Sequence, residues 1–354
     1  MSEELRLRAA QYDAMAKMHA TMTFDDRRAF DTASVRHLNN FVKSCMIDAA
    51  CRSLSKSAAT TGGIRIADIA CGRGQDQSKW MYGAQNARTK VIAYYGLDLS
   101  PADTEAATNM SKKYITPTAT ITQVQTADMG KEAWMIPDTS VDTVTCQLAL
   151  HYLCDEEVHV RHFFQESARI LNDHGLLLVS FADGRSIVRR AREAADGRWV
   201  SRYYTLDVPA ASRALYLASP FGNQYTFTMP GSVENVPEYL CHEGIITKIA
   251  SEYGFHAGKS LYFDELAVAL DSESYYHDIA QKMGGNGIQD PDALDTSNLY
   301  RFIVFGKAKS ALADFNACLK YHPPGKTSTP STTETNCRPS LRSEGSSAAA
   351  RAPR

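Results

Sequence analysis

Between residues 64 and 181 five short apolar runs alternate with longer segments, and this rhythm narrows most sharply what the chain can fold into. The runs are 64–70, 90–97, 119–124, 141–148 and 175–181, each bounded by Pro, Asp or Gly. Runs this short, rich in Val, Ile and Thr, predict strands. Segments 76–86, 101–114 and 155–172 have helical spacing; in the last, Val158, Phe163, Phe164, Ala168 and Leu171 recur about three or four residues apart. Strands alternating with helices predict an α/β fold, a largely parallel sheet covered on both faces.

Around this center the organisation is expected as follows. Residues 1–33 form an N-terminal extension and 34–309 one α/β domain. Within it, Val35 to Leu54 reads as an amphipathic helix leading into the first strand, with Asn39, Asn40 and Lys43 along one side. Residues 184–235, rich in Arg, Tyr and Gly with no clean period, read as a lobe inserted over the carboxyl edge of the sheet. Glu243 to Glu252 reads as a helix and Leu299 to Phe305 as a strand. Residues 310–354 form a tail, disordered from about 323, where Leu341 is the last large aliphatic among Ser, Thr, Pro and Ala. No period of 20 to 50 residues points to a solenoid.

Charge bears on partners. With 38 Lys+Arg against 40 Asp+Glu the net charge is −2, so an anionic ligand must be gripped by a local basic cluster and not by overall charge. The eight Cys include no C-x-x-C pair, which points away from a zinc ribbon or disulfide framework and toward a reducing compartment with no metal. Glu3, Glu4, Arg6, Arg8, Asp13 and Lys17 leave no room for a signal-peptide core, and no run reaches the roughly 18 apolar residues of a membrane span. No membrane partner is expected.

The first run ends in Asp68-Ile69-Ala70-Cys71-Gly72-Arg73-Gly74, an acidic side chain followed by glycines that let backbone approach a ligand. A dinucleotide fingerprint would require Gly three residues past Gly74, where Gln77 stands. The second run ends in Asp98, where an acid can accept the hydroxyls of an adenosine ribose. This order resembles the class I S-adenosylmethionine-dependent methyltransferases, with Asp128 after the third strand in the place of the acid that contacts adenine. The resemblance implies a Rossmann-like, mostly parallel seven-stranded sheet.

A closer resemblance begins after the fourth strand, where Gln147-Leu148-Ala149-Leu150-His151-Tyr152 is similar to the Q-x-x-x-H-Y element of mRNA cap guanine-N7 methyltransferases. Four further segments agree: Asn39 to Lys43, Ala70 to Asp76 with Lys79-Trp80, Val236 to Leu240, and Tyr300. The resemblance implies an enzyme that moves a methyl group from S-adenosyl-L-methionine to N7 of the guanosine cap, turning GpppN-RNA into m7GpppN-RNA. Carried over, it sets Lys43 on the methionine carboxylate, Asp68, Ala70 and Gly72 along the cofactor loop, Asp98 on the ribose and Asp128 on adenine, with Gln147 and Tyr152 lining the pocket. Asn39, Arg73 and Lys79 would meet cap ribose and phosphates, and His151, Glu238 and Tyr300 would position the guanine. Two positions depart from the family: Ala70 replaces the usual glycine and Arg73 the usual lysine. The implied partners are a capped RNA 5′ end and, as protein candidates, a capping guanylyltransferase or RNA polymerase. A monomer working in the nucleus is expected, with a cytoplasmic setting open.

The residue types suit this chemistry. Guanine N7 offers a lone pair and no proton, so attack on a sulfonium methyl needs no acid/base residue, only alignment. Guanine's N1–H and N2–H2 are two donors on one edge, and a carboxylate such as Glu238 accepts both. Taken singly, each residue also has a plain structural reading: Asp68 and Asp98 as turn formers, Lys43 on a solvated face, His151 and Tyr300 as packing, Glu238 as a cap. Arg185, Arg189, Arg190, Arg192, Arg198 and Arg202 read either as a solvated face or as a track for RNA backbone. Two other functions stay open: a methyltransferase acting on a small metabolite, and a cap-binding protein without catalysis.

Overall fold

The apolar runs become strands whose alternate side chains feed two separate cores. The computed structural model describes residues 32–319 except 116, 118 and 195, together with 10, 13, 14 and 21. Most of the N-terminal extension and the tail beyond 319 therefore lie outside the described residues. β1 (Ile64–Ile69), β2 (Val91–Asp98), β3 (Ile121–Thr126), β4 (Val141–Cys146) and β5 (Leu171–Ala182) run parallel. Ile64 and Ile66 of β1, with Leu176 and Leu178 of β5, enter one apolar cluster; Ala67, Ile69, Leu177 and Val179 enter the other. A period of two that buries both faces is what a sheet covered by helices on each side requires.

Helices α1 (Ala33–Thr61), α2 (Gln77–Asn86), α3 (Pro101–Tyr114) and α4 (Glu157–Ile170) follow the predicted spacing, whereas α5 (Gly184–Glu193) forms where the sequence shows no clean period. In α4 the buried stripe is Val160, Phe163, Phe164, Ser167 and Ile170; Val158, expected in it, is 58% exposed. α1 is longer than its amphipathic core and buries Val35, Leu38, Phe41, Val42, Cys45 and Met46. No described helix is long and apolar enough to cross a membrane.

Six more strands complete two sheets: β6 (Arg198–Val200), β7 (Thr205–Asp207), β8 (Gln224–Met229), β9 (Val233–Tyr239), β10 (His256–Tyr262) and β11 (Tyr300–Gly306). The main sheet has the order β10-β11-β5-β4-β1-β2-β3, with β11 antiparallel to both neighbours. It is the mostly parallel seven-stranded sheet expected, and its order reverses between β1 and β4, where open α/β sheets leave a crevice. The second sheet, β6-β7-β8-β9, is an antiparallel meander within the expected lobe, which carries its pairing on to Tyr239. The expected tail boundary at 310 is corrected: helix Lys309–Leu319 buries Ala311, Leu312, Phe315 and Leu319 in the first core.

Candidate functional site

The turn after β1 is made from left-handed backbone. Ala70, Gly72 and Gly74 have φ of 57°, 50° and 75°. At Gly74 a Cβ would stand 2.5 Å from Gln77 Nε2 and 3.1 Å from Ala107 Cα, so the loop closes on α3 only without a side chain. Ala70 carries a methyl in a conformation that costs an L-residue about 1–2 kcal/mol. Ala70→Gly is accordingly expected to raise unfolding stability by about 1 kcal/mol in a denaturant titration; an unchanged or lower midpoint would show that the methyl's packing outweighs the strain.

The loop faces a cavity of about 240 Å³ lined by Ala70, Gly72, Asp98, Asp128, Gln147 and Tyr152, six of the eight expected cofactor residues. Asp98, at the tip of β2, accepts the Gly72 N–H at 2.8 Å on one oxygen and the Ser100 N–H at 3.0 Å on the other. It thereby locks the loop to the second strand while each oxygen keeps a lone pair. Burial pushes its carboxyl up, against the pull of those backbone donors. Asp128 accepts the Gly130 N–H on Oδ1 at 2.9 Å, whereas its Oδ2 is buried with no hydrogen bond. A buried acceptor without a donor asks for a ligand N–H. Gln147 is held from both sides, donating to Thr145 Oγ1 and accepting from Ser180 Oγ, each at 2.9 Å. These groups suit S-adenosylmethionine: a diol at Asp98, an adenine amino group at Asp128, and an apolar wall of Leu97, Met129 and Leu153 between.

Lys43 and Asp68 are not part of that lining. Lys43 Nζ sits 3.0 Å from Asp76, and Lys79 Nζ 2.6 Å from the same carboxylate. Burial alone would raise Asp76; the two ammonium groups outweigh it and hold the carboxyl well below the usual range. Asp68, beneath the loop, accepts the Tyr94 hydroxyl at 2.9 Å, and burial followed by the Asp76 charge pushes it up to about 7. Asp76 and its double pairing escaped sequence reasoning, although it stands in the glycine motif.

Tyr152 joins the cavity to the lobe. Its hydroxyl donates to Glu238 Oε1 at 3.1 Å, and Tyr225 donates to Glu238 Oε2. Tyr225 lies directly across β8/β9 from Glu238, which is 4% exposed. His151 stacks on Tyr152 with ring centroids 4.3 Å apart. Its Nδ1 accepts the Ala182 N–H at 3.2 Å, which assigns the ring proton to Nε2, 3.5 Å from Glu238 Oε2. Tyr300 opens β11 opposite that same Ala182. Expected guanine residues His151, Glu238 and Tyr300 thus converge beside Tyr152, with Tyr225 an addition.

Of the remaining substrate candidates, one is engaged within the fold and the other stands beside the cavity. Asn39, buried on α1, accepts the Ser297 hydroxyl at 3.0 Å, and Arg73 Nη1 reaches to 3.7 Å from Asp103 Oδ1. In the arginine group, Arg190 is buried and bound to the Asp295 side chain and carbonyl, both at 2.8 Å. Arg185, Arg189, Arg192, Arg198 and Arg202 are exposed.

The strand order, with its one antiparallel strand next to β5 and a crevice at the carboxyl ends of β1, β2 and β4, defines a class I methyltransferase. Within that class, the model of the mRNA (guanine-N(7))-methyltransferase domain matches residues 6–307, and the chain belongs to that family. Three relatives named mRNA cap guanine-N(7) methyltransferase show the distances involved. That of Cryptococcus neoformans strain JEC21 is 23% identical over 299 residues, 80% of this chain and 45% of its own length. That of Drosophila melanogaster is 23% identical over 275 residues (73% and 61%), and that of Saccharomyces cerevisiae 24% over 299 residues (78% and 64%). The chain spans about half to two thirds of the length of these relatives.

Proposed function

We propose that the chain methylates N7 of the guanosine cap of RNA with S-adenosyl-L-methionine as donor. The observation that carries this reading is the Tyr152 hydroxyl: its ring lines the nucleoside cavity while its oxygen holds the buried carboxylate of Glu238. Donor and acceptor sites therefore share one wall. The donor supplies a methyl carbon already bound to a good leaving group, so the protein's task is alignment. Well-aligned reactants can save about 7–11 kcal/mol of barrier.

Glu238 accepts guanine N1–H and N2–H2, and its charge favours the positive base that methylation creates. Adenine lacks that pair of donors. Tyr152 and Tyr225 keep the carboxylate in place, His151 braces it through Nε2–H, and Tyr300 closes the wall next to it. On the donor side Asp98 takes ribose, Asp128 the adenine amino group, and Ala70, Gly72 and Gln147 the methionine end. Lys43 is the cation assigned to the methionine carboxylate, and it must turn from Asp76 to reach it, while Asp68 braces the loop through Tyr94. Of the residues implied for the cap ribose and triphosphate, Arg73 is the cation assigned to the phosphates, while Asn39 and Lys79, held by Ser297 and Asp76, support the site from within.

His151 spends Nδ1 on a backbone donor and turns Nε2–H toward a carboxylate, so it has no free lone pair with which to act as a base. The turnover rate is expected to show no rising limb between pH 6.5 and 8.5 that depends on His151. A histidine-like limb abolished in His151→Asn would contradict in-line transfer without a base. The function itself is tested by incubating the protein with GpppN-capped RNA and labelled donor and digesting to cap dinucleotides: label in m7GpppN supports it, and label confined to other positions or none rejects it. We further propose a monomer with a domain over 34–319, a lobe near 184–240, and a nuclear site of action beside a guanylyltransferase or polymerase.

A further inference from the structure

One carboxylate in the cavity has no assigned task. Asp103, third residue of α3, lines the same hollow as Asp98 and is 8% exposed. Its backbone is pinned, since the Asp103 N–H donates to Ser100 Oγ at 3.1 Å. Its Oδ1 is nevertheless buried without a hydrogen bond; the nearest cation, Arg73 Nη1 at 3.7 Å, is too far to supply one. Asp98 already accepts two backbone N–H groups, one on each oxygen.

The position is costly for an acid. Burial first, then the charges of Asp98 and Asp13, push the Asp103 carboxyl up to about 6, only partly offset by Arg73 and a side-chain hydrogen bond with Ser100. At neutral pH the fold thus keeps a charge whose burial its own contacts repay only in part. Asn or Ser would occupy the helix terminus at lower cost, and such an arrangement is characteristic of a group kept for a ligand.

We infer that Asp103 is a second ribose acceptor, its Oδ1 taking one hydroxyl of the donor's 2′,3′-diol while Asp98 takes the other. The inference rests on the reading of the cavity as an S-adenosylmethionine site. Two carboxylates facing a diol use both of its donors and repel a phosphorylated ribose, so the pair specifies an unmodified nucleoside.

The test is calorimetry with S-adenosylhomocysteine and its 2′-deoxy and 3′-deoxy counterparts, on wild type, Asp103→Ala and Asp103→Asn, with melting curves to confirm folding. Losing a hydrogen bond to a charged acceptor weakens binding about tenfold or more. Asp103→Ala is expected to lose that factor for S-adenosylhomocysteine and for one deoxy ligand, and nothing for the ligand that lacks the matching hydroxyl. Asp103→Asn, which keeps a neutral acceptor, loses less. An equal loss for all three ligands, or none, overturns the inference while leaving the cofactor reading intact. Failure of the wild type to bind S-adenosylhomocysteine overturns both.

Discussion

Glu238→Ala is expected to lower the second-order rate on capped RNA by about 10²–10³-fold while changing affinity for S-adenosylhomocysteine by no more than about threefold. Four groups meet at this carboxylate: the hydroxyls of Tyr152 and Tyr225, the Nε2–H of His151 and, by our reading, the guanine edge. The carboxylate's charge is also the group that gains most as the base becomes cationic, so its loss falls on the transition state more than on the ground state. Because Ala removes the acceptor of the buried Tyr225 hydroxyl and of the half-buried Tyr152 hydroxyl, part of its effect is structural. Glu238→Gln separates the two: it keeps the shape and one acceptor for tyrosine, yet turns an NH2 group toward guanine's own donors. A comparable loss of second-order rate on capped RNA in the Gln variant, with an unchanged melting temperature, is the expected outcome. Equal weakening of both ligands would contradict the division of labour between β2 and β9.

Asp76→Ala is expected to destabilise the fold by about 3–5 kcal/mol, the cost of removing one member of a buried ion pair. Lys43 and Lys79 approach the same carboxylate at 3.0 and 2.6 Å, and all three side chains are no more than 13% exposed. Without Asp76 two ammonium groups would face each other in a poorly hydrated site. The sign with pH follows. A carboxyl held below its unfolded value contributes stability that is complete above the unfolded pKa and is lost as pH falls through the lowered one, so the wild-type advantage is fully present at neutrality. In the variant, burial already lowers Lys79, and loss of Asp76 lowers it further. The deficit should therefore shrink as pH rises and a lysine sheds its proton. Asp76→Asn combined with Lys79→Met, which removes one charge of each sign, is expected to recover part of the loss. Denaturant titrations at several pH values would show this, and a deficit below about 1 kcal/mol, the range of exposed pairs, would mean that the cluster is better solvated than its exposure indicates.

Much of the frame was legible in the sequence because burial writes itself as periodicity. β4 reads Val-Asp-Thr-Val-Thr-Cys with every side chain buried, and its run of β-branched residues stands out for that reason. The glycine loop and Asp98 were legible because left-handed backbone and a strand-end acid leave few residue choices. The lobe was not read as a sheet, although Gln224 to Met229 alternates polar and apolar: Tyr225, Phe227 and Met229 are buried between the polar side chains. That short period was masked by the Arg-rich stretch before it, and with it went Tyr225. Asp76 and Asp103 were missed for another reason. Asp76 is paired with Lys43, 33 positions away, and Asp103 stands near Arg73, 30 positions away, and no local pattern announces such neighbours. Helix Lys309–Leu319 was read as tail because its apolar face is completed by α1, almost the whole chain earlier.

The central claim is that one crevice presents a sulfonium donor to guanine N7 in line. A structure of the protein with S-adenosylhomocysteine and GpppG tests it directly. Adenosine is expected between Asp98 and Asp128, the guanine N1 and N2 edge on Glu238, and N7 on the axis through the sulfur from the side of Tyr152. A guanine bound away from Glu238, or with N7 turned from the sulfur while both sites are filled, would contradict it.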